Sequence, residues 1–217
     1  MHMTRRALMG ATAAGIAITA AGCGQTGGNA SARFTALLDQ LCIDILKESP
    51  EASTSLGVSE EQAGGRFIDK LDDSSREAFI RQRAVAERAI TALQGIDRAQ
   101  LTGQEPVTYD VALTSMQNQV AAQQFEFGGG AQSPYVVTQL GGAYTQIPDF
   151  LDSRHPVTTR DETEAYLTRL SAYARKLDQE SAVIVADAGA GMIPPDFCID
   201  GAVNQLRGFA GTAPAQT

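Results

Sequence analysis

The stretch that decides the fold is TRDETEAYLTRLSAYARKLDQESAVIVADAGAG, residues 159–191. It opens on Thr159-x-x-Glu162, a pattern in which the threonine hydroxyl and the glutamate carboxylate satisfy free amide donors at a helix start. Behind it Tyr166, Leu170, Tyr173, Leu177 and Ile184 step by three, four or seven residues. That spacing puts them on one side of a single amphipathic helix of about 28 residues, roughly 40 Å long at 1.5 Å per residue. Gly189-Ala190-Gly191 stops the helix, with Pro194-Pro195 beyond.

Upstream the same period recurs. Phe34, Leu37, Leu38, Leu41 and Ile45 mark one face of a first helix, which Ser49-Pro50 ends. Residues 50–72, with Gly57 and Gly64-Gly65, read as a loop. Ser74-x-x-Glu77 reads as a second capping box, opening a helix to about Leu93 with Phe79, Ala86, Ile90 and Leu93 inward. Pro106 and Thr108 open a third helix, through Met116 and Val120 to about Phe125. Downstream of the long helix, Asp196 caps a last helix carrying Val203, Leu206 and Phe209. The class is all-α and bundle-like.

Between the third helix and the long one the pattern breaks. Gly128-Gly129-Gly130 interrupts the chain, Tyr135-Val136-Val137 reads as extended, Gly141-Gly142 follows, and Pro148-Asp149-Phe150-Leu151 suggests a short helical turn. Tyr135, Gln139, Gly141, Gly142, Tyr144 and Gln146 combine glycines with aromatic and amide side chains. Glycine lets backbone approach a ligand closely. The segment is either a groove for a peptide-like substrate or a structural crossover between helices.

The first residues carry a different signal. Arg5-Arg6 precede a run from Ala7 to Gly22 without charge, about 15 residues long and too short for a comfortable membrane span. Weak apolarity behind an arginine pair indicates twin-arginine export. The run closes on Ala20-Ala21-Gly22-Cys23, which resembles a lipobox with Ala20 where leucine is usual. Residues 1–22 are thus an export signal, and Cys23 is the expected lipid attachment. The alternative is ordinary cleavage after small residues, with Cys23 incidental. Residues 23–32 read as a flexible tether, 33–210 as the helical domain and 211–217 as a linker-like end. The expected place is the periplasm or cell envelope, anchored to membrane lipid through Cys23. Gly24 lacks the aspartate that favours inner-membrane retention, which favours the outer membrane.

Charge narrows the partners. The 217 residues hold 17 Lys and Arg against 25 Asp and Glu; without Arg5 and Arg6 this becomes 15 against 25, a net charge of −10. An acidic surface argues against nucleic acid as a partner. Cys42 and Cys198 remain after Cys23. They form either a disulfide in an oxidising compartment or two buried free thiols. Of the two histidines, His2 lies in the signal, and a lone His155 before Pro156 reads as a surface or helix-end residue rather than a catalyst. No H-E-x-x-H, G-x-S-x-G, phosphate loop or dinucleotide fingerprint occurs. Asp72-Asp73 and Glu60-Glu61 read as solvated loop charge. Asp110 is the one helical acid that stands out, and the helix dipole accounts for it.

Several phrases in order carry a resemblance. They are Leu46-Lys47-Glu48-Ser49-Pro50-Glu51-Ala52-Ser53-Thr54-Ser55-Leu56-Gly57, Leu71-Asp72-Asp73-Ser74-Ser75, Thr108-Tyr109-Asp110, Tyr135 to Gly142, Ile147 to Leu151, Tyr166 to Leu170, and Gly191 to Phe197. Together they resemble a bacterial family known as domain of unknown function 885, over about residues 34–207. The resemblance implies an exported, mostly helical, zinc-peptidase-like protein about three times this length. Its metal motif would lie in the C-terminal half, a helix with a His-Glu pair and a second His, followed by an acid. No zinc ligand carries over to any position here. The expectation is therefore the N-terminal, cleft-forming part of such a protein, not catalytic by itself. Zinc would be held by the remainder of the longer chain, expected in cis, and GTAPAQT fits a truncated reading frame. The rival expectation is a self-sufficient acidic helical lipoprotein that binds a ligand or partner without catalysis.

Overall fold

The computed structural model describes residues 25–125, 127–129 and 133–211. Arg5, Arg6 and Cys23 lie outside the described residues, as do the export signal and the last six positions. Among the described residues there are eight α-helices and no strand. They are α1 (Gln25–Glu48), α2 (Pro50–Ser55), α3 (Glu60–Ala63), α4 (Arg76–Gln94), α5 (Glu105–Ala122), α6 (Ala143–Ser153), α7 (Arg160–Gly189) and α8 (Asp196–Gly211), with a 3-10 turn at Arg98–Gln100 before α5. None of these helices is long and apolar enough to cross a membrane.

Two apolar cores form. In the first, α4 packs against α1 and α5. Phe34, Leu93, Ile96, Leu101 and Tyr109 are its buried centre, and Leu41, Val85 and Ala89 extend it. The second joins α6 to α7, with Leu71, Ala143, Ile147, Phe150 and Leu151 buried against Tyr166, Tyr173 and Leu177. Each buried Leu, Ile or Phe contributes roughly 1.5–3 kcal/mol by leaving water.

The capping box of α7 forms as expected. The Thr159 hydroxyl accepts from the Glu162 amide at 3.2 Å, and the Glu162 carboxylate accepts from the Thr159 amide at 2.8 Å. The face that α7 buries differs from the expected one. Its deepest residues are Ala165, Arg169, Lys176, Glu180, Val183 and Asp187. The aromatic and leucine stripe is a flank leaning on α6, and Leu170 and Ile184 stay partly exposed. A polar stripe therefore runs along α7, facing Glu51 of α2, Lys70 and Arg76 at the start of α4.

Other boundaries shift. Residues 50–72 are not all loop, because Pro50 sits at the first turn of α2, where its missing N–H costs nothing. Ser59 and Gln62 form a capping box for α3, which Gly64 ends with φ 70°. The α4 cap is Ser75 rather than Ser74, its hydroxyl accepting from the Ala78 amide. Residues 29–32 of the expected tether belong to α1: Ala30 is buried, and the Ser31 hydroxyl donates to Glu105 at 2.7 Å. On α8 the inner face is Cys198 and Ala202, while Leu206 and Phe209 are exposed. Tyr135-Val136-Val137 joins no strand; beside it stands one isolated bridge, Thr138 to Gly141.

The helical turn expected around Pro148 is a full helix, with Pro148 inside α6. Proline cannot donate to the carbonyl four residues earlier. That carbonyl, on Tyr144, accepts instead from the Tyr173 hydroxyl of α7 at 3.2 Å.

Candidate functional site

A polar cavity of about 600 Å3 opens between the start of α4, the middle of α7 and the 128–142 loop. Of the residues singled out in the sequence, Tyr135, Gly141, Gly142 and Gln146 line it, and Gln139 and Tyr144 do not. The Tyr144 side chain is buried. Its hydroxyl lies 2.8 Å from the Thr138 carbonyl and 2.6 Å from Gln205 Oε1, so it ties the loop to α8. Gln139 packs under α8, its Cβ 2.7 Å from where a Cβ on Gly201 would lie.

Carboxylates of α7 hold the loop. Asp187 accepts from the Gly128 amide at 2.8 Å and, through its other oxygen, from Arg76 of α4 at 2.7 Å. Gly128 has φ 68°, and a Cβ there would meet the Pro134 carbonyl oxygen at 2.4 Å, so only glycine fits. At the loop's other end Glu180 accepts from the Ala143 amide at 2.8 and 3.1 Å. Gly142 has no side chain to cap α6, and Glu180 takes that role from across the cavity.

The floor is a charged cluster. The Glu51 amide donates to Asp72 Oδ1 at 2.9 Å, and the Asp72 amide donates to Glu51 Oε1 at 2.8 Å. Lys176 Nζ donates to Glu51 Oε1 at 2.7 Å and to the Asp72 carbonyl at 3.1 Å. Burial, with the Glu51 charge adding to it, pushes Asp72 up to about 6. Burial likewise raises Glu180. Asp73 goes the other way. Burial opposes its ionisation, but hydrogen bonds from Ser75 and Arg81 hold it down at about 2.

His155 stands apart from this cavity and is buried, not at the surface. Its Nε2 lies 2.8 Å from the Glu162 carbonyl oxygen, so Nε2 carries the proton; Nδ1 then accepts from Arg169 Nη1 at 2.7 Å. Both ring nitrogens are engaged, one by a backbone carbonyl and one by a guanidinium, and neither meets a carboxylate. Arg169 is fully buried. It also donates to the Lys70 and Phe67 carbonyls and to the Thr54 hydroxyl, and stacks on Phe150. Asp110 is exposed and paired with Arg98 at 2.6 Å. Cys42 and Cys198 are both free. Cys42 is exposed rather than buried, so the pairing considered from the sequence is not formed.

Sequence reasoning missed Glu51, Asp72, Lys176, Glu180 and Asp187. A signal for the last three was present: with Arg169 they step by seven, four and seven, one face of a helix. As to zinc, no group of three or more His, Cys, Asp or Glu among the described residues could hold a metal ion, so these residues do not fit that site. The polar lining suits a polar ligand.

Residues 50–217 match the profile of a family described as bacterial protein of unknown function (DUF885). No curated protein matches the chain. Among solved structures it is similar to the crystal structure of a candidate lipoprotein from Colwellia psychrerythraea, with a TM-score of 0.76 and 21% identity, covering 85% of this chain. The chain spans 32% of the length of that protein. At this identity the likeness concerns the fold.

Proposed function

Because the chain belongs to the DUF885 family of bacterial proteins, we propose that it is the N-terminal, cleft-forming part of an exported, peptidase-like lipoprotein. In this reading Cys23 carries the lipid in the cell envelope, with the outer membrane favoured. The cavity forms one wall of a cleft for peptide, and the chain is not catalytic by itself. Zinc chemistry would belong to the rest of a longer protein: the metal lowers the pKa of water and polarises the carbonyl. The observation that carries the proposal is the cavity itself. Its rim is backbone of the 133–142 loop with Tyr135 and Gln146, and its charged groups are already committed to holding the walls. Such a site orients a polar chain along the cleft. The Colwellia protein, similar in fold and described as a candidate lipoprotein, supports the envelope reading.

A photo-reactive peptide mixture tests the cleft. Cross-links are expected at residues 133–142 and 72–76. Cross-links scattered evenly over the surface would overturn the reading. The same purified chain should hold far less than one zinc per molecule in a metal assay, and stoichiometric zinc would contradict it.

A further inference from the structure

We infer that α8 is a self-association helix, along which a second copy of this chain docks antiparallel over Ile199, Val203, Leu206 and Ala210. These four residues follow one another at spacings of four, three and four, the pattern of a two-stranded helical seam. At about 100° per residue they form one stripe down a helix of 16 residues. The stripe is not the side on which α8 sits. The seated side is Cys198 and Ala202, with Gln205 accepting from the Tyr144 hydroxyl at 2.6 Å and donating to the Gln139 carbonyl at 3.2 Å. It lies roughly a quarter of a turn around the helix from the stripe. Among the described residues no other helix packs along the length of α8, and Ile199 and Leu206 stay 38% and 43% exposed. Phe209, on the border of the stripe, is 48% exposed. An apolar patch that folding leaves in water marks an interaction surface.

The charges beside the stripe select its occupant. Asp200 and Arg207 flank it on one side, seven residues apart and of opposite sign. Neither pairs with another charge among the described residues. When two copies of the helix run antiparallel about a twofold axis, Ile199 meets Ala210 of the second copy and Val203 meets its Leu206. The same register sets Asp200 of each copy beside Arg207 of the other, so one interface holds two opposite-charge pairs. The order of charges on α8 is thus complementary to its own reverse, which is what pairing with a second copy requires. Parallel pairing would set Arg207 against Ala202, which the body already buries. There is room for the second copy, because Asn204 to Gly211 are all exposed and this half of α8 projects past the body. The inference is independent of the cleft reading, since no residue of the seam lines the cavity.

The test is sedimentation velocity across protein concentration on the full chain carrying Cys23→Ser, which cannot take a lipid. A reversible monomer–dimer equilibrium is expected. Leu206→Glu should weaken it at least about tenfold with an unchanged circular dichroism spectrum, the effect of losing one interface anchor. Two further variants at exposed positions probe the register. Asp200→Arg places two cations beside the seam and Arg207→Asp places two anions there, so each alone should dimerise at least about tenfold more weakly than the native chain. Mixed in equal amounts, the two should pair with one another as tightly as the native chain pairs with itself. Three results would each overturn the inference: a chain that is monomeric at every concentration, association that Leu206→Glu leaves untouched, and a mixture that pairs no better than its parts. The first would leave the stripe to another occupant, such as the remainder of a longer protein.

Discussion

Asp72 and Asp73 are adjacent in the chain and opposite in electrostatics. The folded state holds Asp72 at about 6 against an ordinary 3.8, because burial and the Glu51 charge disfavour its ionised form. The folded protein thus binds the Asp72 proton more tightly than the unfolded chain does. The stability this supplies is fully present below about pH 4 and is lost as pH rises through about 6. Asp72→Asn should therefore raise the unfolding free energy at pH 7.5 by up to about 3 kcal/mol, at 1.36 kcal/mol per unit. The gain should shrink toward zero below pH 4 in denaturant titrations across pH. Asp73, held at about 2, contributes stability above pH 4 that disappears as pH falls through 2; solvent screening keeps that contribution small. A carboxylate kept at a cost to stability is common where a site serves binding. Arg169 is the other decisive residue. Arg169→Met would strip a donor from His155 Nδ1 and from the Lys70 and Phe67 carbonyls at once. The expected loss is about 3–5 kcal/mol in the unfolding free energy. Arg169→Lys should recover little of it, because one ammonium cannot reproduce the guanidinium fork.

At the scale of elements, legibility followed period and caps. The Thr159 capping box and the long 3.6-residue pattern were enough to find α7, and α1, α4 and α5 were found the same way. The short helices α2 and α3 span too few residues for any period to register, so only their caps could have shown them. The buried face of α7 was misjudged for a physical reason. Period alone points the apolar side chains inward, whereas Arg169, Lys176, Glu180 and Asp187 are buried because each finds partners on other elements. Such partnership is a tertiary fact that no local window contains. In the loop, glycines and aromatics marked the right neighbourhood, but Tyr144 and Gln139 turned inward to anchor it. The Pro148 position yields a prediction at this scale. Tyr173→Phe removes the donor that satisfies the Tyr144 carbonyl, and should cost about 1–2 kcal/mol in thermal or denaturant unfolding. An unchanged stability would mean that water or a shifted α6 fills the role.

For the whole molecule, one apolar core joins α1, α4 and α5 and another joins α6 to α7, while the charged face of α7 is held by Glu51 of α2, Lys70 and Arg76 and borders the cavity. The family was legible from ordered short phrases, while the cavity's charges were not, since Asp72 and Glu51 come from loops and short helices distant in sequence from α7. Exposed Ile193, Phe197, Leu206 and Phe209 cluster at and just before α8, the element least embedded in either core. The central claim is that the cleft wall is preformed, pinned at Gly128 by Asp187 and at Ala143 by Glu180. Native-state hydrogen exchange of those two amides in the free chain tests it most directly. Protection close to that of the α7 interior is expected, with Glu180→Gln reducing it at Ala143 and sparing Gly128. Exchange of both amides at the rate of an open loop would contradict it.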